Sequence, residues 1–174
     1  MRFTAPESRW NTAAQPESVL LDTDVFSYLG KPGDPRAEIY RPKVQDKLVA
    51  VSFVTVGELL YGAYKKNWGA DKLSALNARL RSVVIVPYDI EVCRVYGDLK
   101  ARLQKSGTVV ACNDLWIASC AVRHSIPLVS NNRAHFERIP DLILITEQPA
   151  IEQIRSQGEL DLTAGSSSSE KEPP

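Results

Sequence analysis

The stretch Val19-Leu20-Leu21-Asp22-Thr23-Asp24 places three consecutive apolar residues directly before two closely spaced acids. A short apolar run without alternation is typical of a strand that is covered on both faces, as the strands of parallel sheets are. The polar residues that follow it mark the turn into a helix, predicted over 24–29. We therefore interpret this stretch as the first strand of an α/β fold with acids at its carboxyl end.

Similar apolar runs recur along the chain, and helical patterns lie between them. Strands that alternate with helices require crossover connections, so we predict a three-layer α/β sandwich with a central parallel sheet of about five strands and helices on both faces. Strands are predicted at 19–21, 48–51, 83–86, 126–129 and 142–145, and helices at 24–29, 37–47, 55–66, 71–81, 91–105 and 114–124.

The ends of the chain differ in composition from its centre. Of the 174 residues, 19–148 are predicted to form one domain. Residues 1–18 are polar and aperiodic, so we expect a flexible N-terminal extension. Residues 149–174 contain five acids against two bases and finish in a run rich in serine, glutamate and proline. Such a segment buries too little apolar surface to offset its chain entropy, so we expect a largely disordered tail.

Composition also limits the compartment. No apolar run approaches the roughly 20 residues of a membrane-spanning helix, so no membrane partner is expected. The N-terminal residues lack the apolar core of a secretory signal. The three cysteines form no C-x-x-C pair, which argues against a disulfide framework and predicts a cytoplasmic location.

Three further segments, 52–62, 113–118 and 129–132, place polar side chains after a strand or inside an apolar helix. Two of these side chains, Glu58 and Asp114, are acids at positions that face the core, where carboxylates are costly unless they are paired or bind a metal. In a parallel sheet these segments meet at the carboxyl edge, and converging acids repel each other unless a divalent cation lies among them. Oxygen ligands favour a hard ion such as Mg²⁺ or Mn²⁺ over Zn²⁺.

Each of these polar groups also has a purely structural explanation. Asp22 would cap the helix that follows it, and Asn113 would cap its own helix. The spacing of Thr55 and Glu58 is that of a capping box, and the pair 131–132 is compatible with a simple turn. The functional explanation gains weight because all four segments are expected at one edge of the sheet.

The ordered set of segments resembles the PIN-domain nucleases, and more narrowly the VapC-type toxins of bacterial toxin–antitoxin pairs. The resemblance runs from about residue 19 to residue 145. It is carried by Leu21-Asp22-Thr23-Asp24, by Ser52-x-x-Thr55-x-x-Glu58-Leu59-x-Tyr61-Gly62, by Asn113-Asp114-x-x-Ile117-Ala118 and by Pro127-Leu128-Val129-Ser130-Asn131-Asn132-x-x-x-Phe136.

The resemblance implies a type II toxin that is a metal-dependent endoribonuclease and cleaves tRNA or rRNA through water activated by a metal in an acidic pocket. By position, Asp22, Glu58 and Asp114 match the family acids and would hold Mg²⁺, with Mn²⁺ able to substitute. The fourth family position, an acid or asparagine, falls on Asn132, which completes the catalytic set. The implied partners are the RNA substrate, a cognate antitoxin that covers the pocket and a second copy of the chain docked through the 55–81 hairpin.

Two other functions remain open. One is a catalytically weak RNA-binding or regulatory module that acts through its antitoxin complex, which the neutral Asn132 favours. The other is a hard-metal hydrolase of small phosphoesters on a similar sheet. The spacing of Cys120 and His124 suits zinc, but no second pair accompanies it, so core packing explains Cys120 better. Basic residues that could attract RNA, or simply be solvated, are Lys65, Lys66, Arg79, Arg81, Arg133, His135 and Arg138.

Overall fold

The computed structural model describes residues 17–147, in which strands and helices alternate as predicted. The strands are β1 (Ser18–Leu21), β2 (Leu48–Ser52), β3 (Val84–Val86), β4 (Leu128–Val129) and β5 (Leu144–Ile145). The helices are α1 (Thr23–Leu29), α2 (Pro35–Val44), α3 (Phe53–Lys65), α4 (Ala70–Arg81), α5 (Ile90–Lys105), α6 (Cys112–His124) and α7 (Arg133–Phe136).

The five strands form one parallel sheet in the order β3-β2-β1-β4-β5, so β1 is central. Because all strands run the same way, their carboxyl ends share one edge. Leu21, the last residue of β1, is paired with Val51 on one side and with Val129 on the other. Segments that follow three different strands are thereby brought together at the centre of this edge.

The core lies on both faces of the sheet, which explains the unbroken apolar runs. Successive strand residues point to opposite faces: Leu20 packs with the α5–α6 layer, whereas Val19 and Leu21 pack with α1 to α4. Both faces of β1 are therefore buried, and the predicted three-layer sandwich with helices on both sides is confirmed.

Several helices begin earlier than predicted because a cap residue was misplaced. Helix α3 begins at Phe53, since the Ser52 hydroxyl accepts a hydrogen bond from the Thr55 backbone N–H at 3.0 Å. The capping box of Thr55 and Glu58 is therefore wrong. Helix α6 begins at Cys112, so Asn113 lies inside its first turn and the assignment of Asn113 as N-cap is also wrong.

The other differences are small or lie at the ends of the described region. The short helix α7 was not predicted, and α2 begins at Pro35 because Asp34 caps it. Within residues 17–147 no helix is long and apolar enough to cross a membrane. The predicted extension and tail fall almost entirely outside the described residues and stay predictions.

Candidate functional site

Asp22 lies at the carboxyl end of β1 and is 7% exposed. Its carboxylate accepts hydrogen bonds from the Thr23 backbone N–H at 2.7 Å and from the Ser130 hydroxyl at 2.7 Å. Burial, reinforced by the negative charge of Asp24, raises the pKa of Asp22 to about 7. Asp22 is also the N-cap of α1, so the structural explanation of this residue is confirmed and its functional role stays a prediction.

Asp24, which the prediction of site residues omitted, is a second acid of the same group. The backbone N–H groups of Val25 and Asn131 donate to its carboxylate, and burial still raises its pKa. The charge of Asp114 acts in the same direction on both Asp22 and Asp24. The Asp-x-Asp spacing directly after a strand was the sequence signal that could have identified Asp24.

Glu58 projects from the second turn of α3 toward the same edge. One of its carboxylate oxygens accepts a hydrogen bond from the Thr23 hydroxyl, and the other accepts one from the Asn113 side-chain amide at 2.7 Å. Glu58 therefore joins the first residue of α1 to the first turn of α6. Through its contact with Thr23, Glu58 lies beside the residue that follows Asp22 in the sequence.

Asp114, in the first turn of α6, contacts a side chain that lies outside the four polar segments identified in the sequence. Its carboxylate lies 2.7 Å from Nδ1 of His135 on α7. The Asp114 side chain is 17% exposed and the His135 side chain is 53% exposed. The sequence is compatible with His135 as an RNA contact, as an acid or as a partly exposed polar residue, and the structure places it against Asp114.

Asn132 enters this network through its backbone, whose N–H donates to the Ser130 hydroxyl at 2.9 Å. Ser130 in turn donates to Asp22, so the loop after β4 supports the acid at the end of β1. Asn131 has a structural role, since its side chain contacts the hydroxyls of Tyr40 and Tyr28. In the sequence, Ser130 was identified only as part of the fourth motif, and the structure shows that it positions the Asp22 carboxylate.

The carboxylate oxygens at this edge are ligands of the kind that a hard cation prefers, although the acids are not arranged as a metal-binding cluster. Within residues 17–147 no three acidic, histidine or cysteine side chains form a ready metal-binding cluster. Glu58 and Asp114 are engaged by neutral or exposed side chains instead. Buried carboxylates whose pKa is raised by burial and by one another call for a positive charge, and oxygen ligands suit Mg²⁺ or Mn²⁺. The chemistry of these ligands therefore suits a divalent ion, but the described side chains are not arranged around one.

The other residues considered for a chemical or binding role differ in whether they lie in the core or at the surface. Buried Cys120 belongs to the apolar core, whereas His124 is exposed. Two aromatic residues of types that could stack on RNA bases or pack at an interface differ in exposure, since Trp68 packs partly against the core and Tyr61 is 64% exposed on α3. All three cysteines are free, in agreement with the absence of a disulfide framework.

Comparison with known proteins agrees with this geometry. The family model of the PIN domain matches residues 19–142. Ribonuclease VapC2 of Rickettsia felis is 32% identical over 126 residues, which cover 72% of this chain and 94% of the relative. The tRNA(fMet)-specific endonuclease VapC of Salmonella typhimurium is 30% identical over 125 residues, covering 71% and 92%.

Solved structures give the same result. The crystal structure of VapBC2 from Rickettsia felis, bound to a DNA fragment from their promoter, contains a chain that is similar with a TM-score of 0.65 and 29% identity. The similarity covers 74% of this chain and 98% of that one. The acidic edge built on β1, α3 and α6, together with these matches, establishes that the chain belongs to the PIN-domain family and, within it, to the VapC-type ribonucleases.

Proposed function

We propose that the chain is a metal-dependent endoribonuclease and the toxin of a type II toxin–antitoxin pair, active in the cytoplasm. The observation that carries the proposal is the convergence of Asp22, Asp24 and Asp114 at one sheet edge, where burial and mutual repulsion keep the pKa of the first two raised. An acidic edge of this kind repels RNA phosphate unless a cation is bound. The requirement for a metal therefore follows from the charge of the site.

Each residue of the edge has a distinct proposed role. Asp22 and Asp114 hold Mg²⁺ or Mn²⁺, with Glu58 as a further ligand or as the group that orients the attacking water. Asn132 donates a hydrogen bond to the scissile phosphate. A bound divalent ion supplies positive charge that lowers the pKa of water and offsets the charge that develops on the phosphate. Ser130 keeps the Asp22 carboxylate in place while this happens.

A bound metal would change the surroundings of two of these acids. A metal at Glu58 and Asp114 would compete with the Asn113 amide and the His135 ring for the carboxylate oxygens. Asn113 and His135 are both exposed, so water can hydrogen-bond to them instead. The buried hydrogen bonds of Asp22 would hold its carboxylate in place.

We propose tRNA as the first substrate to examine and rRNA as the second, because one relative is named a tRNA-specific endonuclease. We also propose an antitoxin as partner, since solved relatives are VapBC complexes. A basic side chain of the antitoxin would neutralise the acidic edge in place of the metal. A homodimer is proposed through α3, where Tyr61 and Tyr64 are exposed aromatic residues.

The decisive experiment incubates the purified chain with total tRNA and with rRNA, in Mn²⁺ and in EDTA, and maps the 5′-phosphate ends of the products. We expect discrete cleavage in Mn²⁺ only, suppressed by stoichiometric antitoxin. Asp114→Asn should remove this activity. The matched control is Asp89→Asn, because Asp89 is an N-cap outside the site and asparagine caps a helix equally well.

The contacts of Glu58 and Asp114 with protein side chains favour one second candidate function, which is a regulatory module with little catalytic activity. If both carboxylates stay bound to their protein partners, the edge holds a metal too weakly to act. Absence of metal-dependent cleavage in the wild-type chain, combined with tight RNA binding, would support that function and contradict the nuclease.

A further inference from the structure

A groove with a cavity volume of about 410 Å³ leads away from the acidic edge, between α1, α3 and α4. Thr23 and Glu58 line one part of it, so the groove opens directly onto the candidate site. Four cations line the same groove, namely Lys31, Lys66, Lys72 and Arg79. One acid and four cations thus line one continuous depression, with apolar residues such as Leu59, Trp68 and Leu76 between them.

Arg79, which was predicted as an RNA contact, is already bound within the protein. Its guanidinium donates to the Phe26 carbonyl, lies 4.2 Å from the centroid of the Phe26 ring and rests against Gly30. A Cβ atom at Gly30 would come within 1.7 Å of the guanidinium. Arg79 therefore fastens α4 to the end of α1 and is not available for phosphate.

The lysines of the groove are differently placed. Within residues 17–147, Lys66 and Lys72 are exposed and take part in no ion pair. Lys31 is exposed as well, but it lies near Asp34, whose pKa is lowered chiefly by the hydrogen bond from Arg36 and to a smaller extent by the charge of Lys31. Lys66 and Lys72 are therefore the two cations of this groove that have no anionic partner among residues 17–147.

The position of Lys72 argues against a role in stabilising its helix. It is the third residue of α4, whose N-terminal end carries the positive pole of the helix dipole. A lysine there is mildly unfavourable for the helix. Lys66 differs, because it caps the C-terminal end of α3, where a cation is favourable.

We propose that this groove holds the RNA strand beside the scissile bond, with Lys66 and Lys72 binding phosphates that are not cleaved. This inference rests on the proposed ribonuclease function and assigns a path for its substrate. RNA carries a negative charge on every nucleotide, so a strand cleaved near Glu58 needs cations along its onward path. The groove offers Lys66 at the C-terminal end of α3, beyond Glu58 in the second turn of that helix.

The test is the double variant Lys66→Gln/Lys72→Gln, assayed for cleavage of the tRNA substrate in Mn²⁺. We expect KM to rise about tenfold with kcat nearly unchanged, and the slope of log affinity against log salt to fall by about 1.4, at about 0.7 for each lost phosphate contact on a single strand. Affinity is measured on Asp22→Asn in EDTA, with and without the two lysine substitutions, so that cleavage does not interfere.

The matched control is Lys105→Gln. Lys105 is an exposed lysine in the last turn of α5, outside the groove. Like Lys66 it complements a helix C-terminus, so both substitutions cost a similar small amount of stability. The single variant Lys72→Gln should melt at or above the wild-type temperature while still raising KM. If Lys72 had only a structural role, Lys72→Gln would lower the melting temperature and leave KM unchanged.

An unchanged KM and salt slope in the double variant overturns the inference while leaving the nuclease function intact, provided the wild-type chain cleaves. Loss of antitoxin binding with KM equal to that of Lys105→Gln also overturns it, because the groove would then belong to a protein partner. Failure of the wild-type chain to cleave any RNA in Mn²⁺ is the distinct result that contradicts the proposed function itself.

Discussion

Asp22 and Asp24 differ from Glu58 and Asp114 in what surrounds their carboxylates. The first two are held by backbone N–H groups and a buried hydroxyl at the end of the central strand, and burial raises the pKa of both. The other two project from helices and contact the exposed side chains of Asn113 and His135. One half of the edge is therefore fixed by the sheet, and the other half can rearrange.

This difference suggests a division of labour within one acidic site. Under the proposed function, the buried half would keep its geometry with or without a cation, and its raised pKa values are the electrostatic reason for one. The helical half would contact the ion in place of its present side-chain partners. The variants and conditions that follow either remove the difference between the two halves of the edge or measure it.

The largest effect is expected for Asp22→Asn. Removing this charge should lower cleavage by at least about a hundredfold, the scale on which one lost charge interaction in a transition state acts. The metal-free protein should nevertheless melt at a higher temperature, because the substitution relieves repulsion in a crowded acidic edge. Cleavage and thermal unfolding in EDTA are the two measurements. Wild-type activity in this variant would remove the metal-site assignment.

A large effect is also expected on the pH dependence of stability without metal. Asp22 has a folded pKa of about 7 against an ordinary 3.8, so the folded state holds a proton that the unfolded state has lost. Stability should therefore fall as pH rises through this window, and the loss is complete above about pH 7. In EDTA the melting temperature should be lower at pH 8 than at pH 5, and Mg²⁺ should restore it at pH 8. Asp22→Asn should flatten this dependence.

A moderate effect is expected for His135→Ala. Freeing the Asp114 carboxylate removes a competitor of the metal, so half-maximal cleavage should occur at a lower Mn²⁺ concentration. The maximal rate should stay within about tenfold of wild type, the range of a modest positioning effect. Arg133→Ala is the control, because Arg133 is on the same short helix and pairs with Glu137 instead of a site acid. A higher Mn²⁺ requirement in His135→Ala would assign the histidine to metal or substrate binding.

The smallest effect on cleavage is expected for Asn132→Ala, since this side chain offers a hydrogen bond and carries no charge. A reduction below about tenfold fits the loss of one such interaction. Asn131→Ala should instead lower the melting temperature, because the Asn131 side chain contacts two tyrosine hydroxyls. A complete loss of cleavage in Asn132→Ala alone would show that the loop after β4 supplies an essential ligand.

Much of the fold was predictable because parallel strands leave an unbroken apolar pattern. All five strands and six of the seven helices between residues 17 and 147 were located, and the acids fell at the predicted edge. Strand order was not predicted, because local patterns do not specify which neighbour a strand chooses. The cap of α3 was missed because Ser52 and Thr55 are both good N-caps, and only the path of the backbone decides between them.

The site was less predictable than the fold. Asp24 was passed over because, in an Asp-x-Asp pair, periodicity does not tell which acid points inward. The contact of His135 with Asp114 joins residues 21 positions apart on different helices, and no sequence spacing signals it. The role of Ser130 required knowing that β4 lies beside β1. In each case the missing information was tertiary.

The hydrogen bond from Ser130 to Asp22 joins positions separated by 108 residues, and this separation has a consequence for synthesis. The central strand is made first but lacks its neighbour on one side until β4 has been translated. Contacts of such long range form late, since a long loop must close before they are made. A nascent chain therefore carries Asp22 and Glu58 before Ser130 has been made, and the acidic edge is completed only when nearly all of residues 17–147 have been translated.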